Sequence, residues 1–201
     1  MPSAHALAPS HRATTPRRAR RLAGAVLIAL LTALLVVPAM PAAAGNRYPR
    51  LERLALSLMN CTRSGGWVQE DGSCTGRDSG RFSPYVKPIP LSDGISDKVA
   101  RPYALRLARA DACMHTLAGT SIDHRFTAAG LRGATNGESI GCSNGYTVRQ
   151  MVIRTHRMMQ AEKSYNGWHW RNMKDRDWKR VGIGVAAWGS ESRVVYDFYG
   201  H

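Results

Sequence analysis

Within twelve residues, Glu162 to Met173, the chain crowds together a carboxylate (Glu162), an imidazole (His169), three aromatics (Tyr165, Trp168, Trp170) and the amide of Asn172. A carboxylate can orient an imidazole, and an oriented imidazole can ligate a divalent metal or polarise a water. The other histidines beyond residue 44 are His115, His124, His156 and His201, and Glu138 lies in the glycine-flanked run Asn136-Gly137-Glu138-Ser139-Ile140. Each has a plainer reading. His201 is terminal, His124 precedes an arginine at a helix start, and His156 beside Thr155 reads as a partly buried or surface histidine. His115 and His169 read as hydrogen-bonded core histidines, and Glu138 as a solvated loop carboxylate. Glu162, at the end of a helix whose dipole disfavours it, needs a local partner, for which Lys163 and Arg157 are the ordinary candidates. Spacing alone supplies no H-E-x-x-H, no G-x-S-x-G and no phosphate-cradling glycine loop.

The segments around these residues set the framework that must position them. Leu51, Leu54, Ala55 and Leu58 share one helical face, and Pro49 suits the helix start. Residues 64–90, rich in Gly, Ser, Asp and Pro without a sustained period, read as a long loop. Ile95, Val99, Tyr103 and Leu107 recur every four residues and predict a second core-facing helix, which Pro102 must kink or restart. Asp123 reads as the N-cap and Gly130 as the stop of a short helix over 125–129. Thr147-x-x-Gln150 has capping-box form and opens a helix expected to run to about Lys163, with Val148, Met151, Val152, Thr155 and Met159 inward. A loop around His169 follows, then two antiparallel strands, Val181 to Val185 and Val194 to Phe198, with a turn over 189–192. Gly182 and Gly184 leave one strand face bare for close packing. The class is α+β, helices on a small antiparallel sheet.

Residues 1–44 combine Arg17, Arg18, Arg20 and Arg21, an apolar run from Leu22 to Val37, and Ala42-x-Ala44, the pattern of a secretory signal peptide cut after Ala44. An uncleaved anchor is the alternative, against which Pro38 and Pro41 argue. Removing residues 1–44, which hold five arginines and no acid, lowers the formal net charge from +14 to +9 and leaves 157 residues, one domain's worth. A basic exported chain suits anionic neighbours such as wall polymers or phospholipid head groups, although charge also simply aids solubility. Scattered Lys and Arg in an exported chain argue against nucleic acid. Cys61, Cys74, Cys113 and Cys142 all lie in the exported part and imply two disulfides; three pairings are open, of which Cys61–Cys74 would close the local glycine-rich loop of about 61–90.

In their order, these segments resemble the CAP superfamily, the cysteine-rich secretory, antigen 5 and pathogenesis-related group one proteins (SCP domain), in its bacterial secreted form. The resemblance rests on Leu51 to Arg63, His115-Thr116, Arg125-Phe126-x-Ala128-Ala129-Gly130, Gly137-Glu138-Ser139-Ile140, Glu162-Lys163-x-Tyr165 and His169-x-x-Asn172-Met173. Val181 to Val185 and Tyr196 to Gly200 complete it. It implies an α-β-α sandwich over 45–201 and a cleft lined by His115, His169, Glu138 and Glu162. The histidine pair in that family can bind zinc or another divalent ion. It also favours Cys113–Cys142, two residues before His115 and four after Glu138. Ser139, Met159 and Trp168 depart from the family pattern, and His124 competes with His115 as the first histidine.

Three functions follow as expectations. The first is a secreted, non-catalytic binding module whose cleft takes a metal, a lipid or a wall-derived ligand. The second is a hydrolase in which metal-bound water or Glu138 or Glu162 acts as base. The third is a basic protein that attaches to anionic wall polymers.

Overall fold

The computed structural model describes residues 48–132 and 135–200; the signal-peptide reading for 1–44 and the terminal His201 lie outside them. Helix α1, Pro49–Arg63, starts with proline in its first turn, where the missing N–H costs no hydrogen bond, and buries Ala55 and Leu58. A two-residue hairpin, β1 (Trp67–Val68) with β2 (Cys74–Thr75), interrupts the long loop. The Cys61–Cys74 disulfide ties it back to α1.

The repeat of four over Ile95, Val99, Tyr103 and Leu107 has a structural cause. A straight α-helix would let a four-residue repeat drift around its axis. Here a short turn α2 (Asp93–Ile95) passes into a π-helical segment, Ser96–Ala100, before α3, Arg101–Arg109. All four side chains are consequently buried, at 2% exposure or less. Pro102 falls in the first turn of α3, so the helix restarts at it. Ser121, not Asp123, caps α4 (Ile122–Ala128), accepting from the His124 N–H. Asp123 instead accepts from Asn136 Nδ2 at 2.7 Å.

Helix α5, Val148–Ala161, has the full capping box of Thr147 and Gln150. It continues as a 3-10 turn, Glu162–Tyr165, and then, where a loop was expected, α6, Trp168–Lys174. Three strands, one more than the sequence signalled, form the main sheet: β3 (Thr135–Asn144), β4 (Trp178–Trp188) and β5 (Glu191–Gly200), in the order β3-β5-β4, all antiparallel. The β4–β5 connection is the tight pair Gly189-Ser190, with Gly189 at φ 58°.

Period-two alternation splits the core across the sheet. Val194, Tyr196 and Phe198 of β5 pack with Val181, Ile183 and Val185 against α1, α5 and α6. On the other face, Val195 packs with Ile140, Tyr103 and Leu107, while Tyr199 packs with Ile95, Val99 and Phe126. This is the α-β-α layering expected. Gly182 and Gly184 let the π segment lie on the sheet: a Cβ at either would collide with Ile95 or with the backbone of Ala100. Ser96 Oγ accepts the Ile183 N–H at 2.9 Å, locking segment to strand.

Candidate functional site

The four residues singled out by resemblance assemble as two imidazole–carboxylate pairs. Glu138 sits on β3 at 8% exposure, not in a solvated loop. One oxygen pairs with His115 Nδ1 at 2.8 Å and the other accepts from Arg125 Nη2. Arg125 comes from α4 and is itself 7% exposed, with its guanidinium 3.4 Å above the Tyr103 ring. Its Nη1 also donates to the carbonyls of His115 and Thr120, both at 3.1 Å. One buried cation thus holds both the carboxylate and the backbone of the histidine it orients. Tyr103 adds a hydrogen bond to the Met114 carbonyl at 2.7 Å, and Cys113–Cys142 anchors the segment to β3. The hydrogen bond to Glu138 raises the His115 pKa, against burial and the nearby Arg125 charge.

The second pair is built around a helix start. Glu162 Oε1 meets His169 Nδ1 at 2.6 Å, while Oε2 accepts the backbone N–H of His169 at 2.9 Å and of Trp170 at 3.4 Å. The partner that the placement of Glu162 called for is therefore His169 and the open amides of α6, where an anion is favoured. Lys163 bonds the Phe82 carbonyl and Arg157 approaches Glu70 instead. Gly167 makes the approach possible, since a Cβ there would strike the Glu162 carboxylate. Asn166 supplies the left-handed turn at φ 52°. Burial alone would raise the Glu162 pKa, but the His169 ring and the two amides outweigh it and the net shift is downward.

Asn172, one turn beyond His169 on α6, joins the two pairs: its Nδ2 donates to the Glu138 carbonyl at 3.0 Å and to Ser139 Oγ at 3.3 Å. Gly137 leaves room for it, because a Cβ would press on Trp178 and Asn172. Around the histidines, Met114, Tyr165 and Trp168 stand exposed at 46%, 70% and 76%, with Arg171 stacked 3.6 Å from the Trp168 ring.

Sequence reasoning missed two members of this network. Arg125 was visible only as part of a motif. Asp197 pairs in register with Glu138 across β3 and β5 and is wholly buried. Burial first, and the neighbouring Glu138 charge second, push its carboxyl well above the ordinary range. The alternation of Val194, Tyr196 and Phe198 with Val195, Asp197 and Tyr199 puts an acid on a core face, a signal the sequence did carry.

The remaining histidines lie elsewhere. His124 is exposed at the start of α4. His156 is fully buried, correcting its expected partial exposure, with Nε2 2.8 Å from Thr62 Oγ1. Thr62 donates onward to Gln160 Oε1 at 2.9 Å, so the imidazole must be the donor to Thr62.

Both site imidazoles spend Nδ1 on a carboxylate, which leaves Nε2 of each as the free donor atom; the oxygens of both glutamates are taken. Among the described residues no group of three or more His, Cys, Asp or Glu is placed to hold a metal ion. These residues therefore form no closed protein cage of the kind that holds a structural metal.

No protein-family model and no curated protein sequence matches the chain. Its fold is nonetheless shared with solved structures. An outer surface protein from Borrelia burgdorferi is 16% identical, with a TM-score of 0.55 over 76% of this chain and 94% of that one. An extracellular protein containing an SCP domain, from Bacillus anthracis, is 12% identical, with a TM-score of 0.54 over 79% of this chain and 45% of that one. NaASP2, in a crystal structure with Zn2+, is 14% identical, with a TM-score of 0.51 over 78% and 83%. The chain shares the fold of these structures, an SCP-domain protein among them; at these identities the likeness establishes the fold alone.

Proposed function

We propose that the protein is a secreted SCP-fold binding module in which His115 and His169 present their Nε2 atoms to a ligand or a divalent metal. The observation that carries this is the fixing of each Nδ1 by a buried or half-buried carboxylate, at 2.8 and 2.6 Å. Such a partner sets the tautomer and raises the basicity of the free nitrogen. Zinc, held by the two nitrogens with water in its remaining positions, would supply a Lewis-acidic contact for an anionic or carbonyl group of a ligand. The exposed Met114, Tyr165 and Trp168 would cover that ligand's apolar parts. Two disulfides and the likeness to an extracellular SCP-domain protein support secretion. Among the described residues no helix is long and apolar enough to cross a membrane.

A binding role is preferred to hydrolysis because both carboxylates are committed: Glu138 to Arg125 and His115, Glu162 to His169 and two amides. A general base must be reached by the water it deprotonates, and the two carboxylate side chains are only 2% and 13% exposed. The test is calorimetric titration of zinc into the protein at neutral pH, with metal analysis, against a folded His115→Ala/His169→Ala variant. Stoichiometric binding lost in the variant is the expected result. Equal binding by both proteins, or none by the wild type, would remove the histidine pair as the ligand site.

A further inference from the structure

A second recess lies between residues 85–90 and the entry to β4. Its cavity, about 840 Å3, is lined by Arg63, Tyr85, Lys87, Pro88, Arg176 and Lys179 among others. A shallower one of about 430 Å3 continues it, sharing Pro90 and Lys179 and adding Arg180. Five cations line this trough, and among the described residues no carboxylate does.

Beneath the trough, Arg63 and Lys174 are held by backbone carbonyls and not by carboxylate hydrogen bonds. Arg63, only 2% exposed, donates to the backbone carbonyls of Lys87 at 3.0 Å, Met173 at 2.8 Å and Asp175 at 2.9 Å. Burial lowers its pKa to about 10, with the Asp175 charge opposing. Lys174, beside it, is likewise held by carbonyls of Thr62, Arg63 and Pro84. Burial and then the charges of Arg63, Arg176 and Lys163 lower its pKa to about 8. Like charges held this closely favour an incoming anion.

The shape narrows the class. Val86, Ile89 and Trp178 at the floor are already core residues at 8% exposure or less, so no apolar chamber is open to an acyl chain. What remains accessible is an exposed Tyr85 and the stiff rim of Pro88 and Pro90. Such surfaces suit the faces of sugar rings. We propose that this trough binds an extended acidic glycan, a chain of sugar rings bearing carboxylate or phosphate groups, independently of the histidine pair.

Binding of carboxymethyl dextran and dextran phosphate, with plain dextran as the uncharged reference, tests it at about 0.1 M salt. The trough variant Lys87→Ala/Arg176→Ala/Lys179→Ala changes only exposed side chains; Arg53→Ala/Lys98→Ala/Arg132→Ala removes the same charge elsewhere. The wild type should bind at least one of the charged dextrans, and the trough variant should bind it about tenfold or more weakly, on the order of three rim ion pairs. The second variant should lose no more than about threefold, the share expected of screened long-range charge. The His115→Ala/His169→Ala variant should bind as the wild type does; a loss confined to it would assign the polymer to the histidine site and overturn the proposal. Equal weakening in both triple variants would also overturn it, showing diffuse charge attraction. So would retention on phosphatidylglycerol vesicles with none on either charged dextran.

Discussion

Lowering the pH tests the internal wiring most directly, because His156 has been assigned a neutral, structural role. Its Nε2–H donates to Thr62, which passes the chain to Gln160; Gln160 Oε1 also accepts the Val68 N–H at 2.9 Å. Nδ1 is buried without a hydrogen-bond partner among the described residues, so a second proton there would have no acceptor. Burial accordingly drives the pKa from 6.5 to about 3. The unfolded chain takes up this proton below about pH 6.5 and the folded protein does not, so stability is intact above that value and falls as the pH is lowered towards 3. Between pH 8 and pH 5 the cost is on the order of 2 kcal/mol, since 1.5 pH units below the unfolded pKa carry about 1.36 kcal/mol each. Urea unfolding of the wild type and of His156→Gln at pH 5, 6, 7 and 8 isolates the effect, because the other ionisations cancel in the difference. The variant should be less stable at pH 8, and its deficit should shrink by about 2 kcal/mol at pH 5. A deficit that stays constant with pH would refute the buried neutral imidazole.

Glu138→Gln should destabilise by about 3–5 kcal/mol in denaturant unfolding, because it strands the buried Arg125 charge. In the same variant, if folded, NMR titration should show the His115 pKa falling from its raised position towards the ordinary value. In the wild type, that raised pKa adds stability at pH below the unfolded value, lost as the pH climbs through the folded one. Cys113→Ser/Cys142→Ser opens a 29-residue separation and should cost about 3.6 kcal/mol on the chain-entropy estimate, seen as a lower urea midpoint. Gly184→Ala places a Cβ against backbone atoms of Ala100 and Arg101, which cannot yield as a flexible side chain would. It should cost at least about 1–3 kcal/mol in the same assay, whereas Gly189→Asn, at a left-handed turn with open space, should be nearly neutral.

Much of the frame was legible in the chain because its causes are local. The capping box of Thr147 and Gln150, the apolar face of α1 and the bare glycine face of β4 are readable within a few residues, and the structure contains all three. The α6 helix was not legible, since its start is secured by Glu162 and not by a cap from the residue before it. Likewise, a spacing of four could be read as a helix without revealing the π turn that keeps its side chains on one line.

The site divides the same way. Residue types and motif order nominated His115, Glu138, Glu162 and His169, and folding joined each histidine to one glutamate. What remained hidden was every partner set by distant chain: Arg125 and Asp197 converge on Glu138 from α4 and β5, and Thr62 meets His156 across 94 positions. Whether a histidine is a surface base or a silent core donor depends on its solvent exposure and on who stands opposite. In this chain those are consequences of packing three layers together, and no local window of sequence contains them.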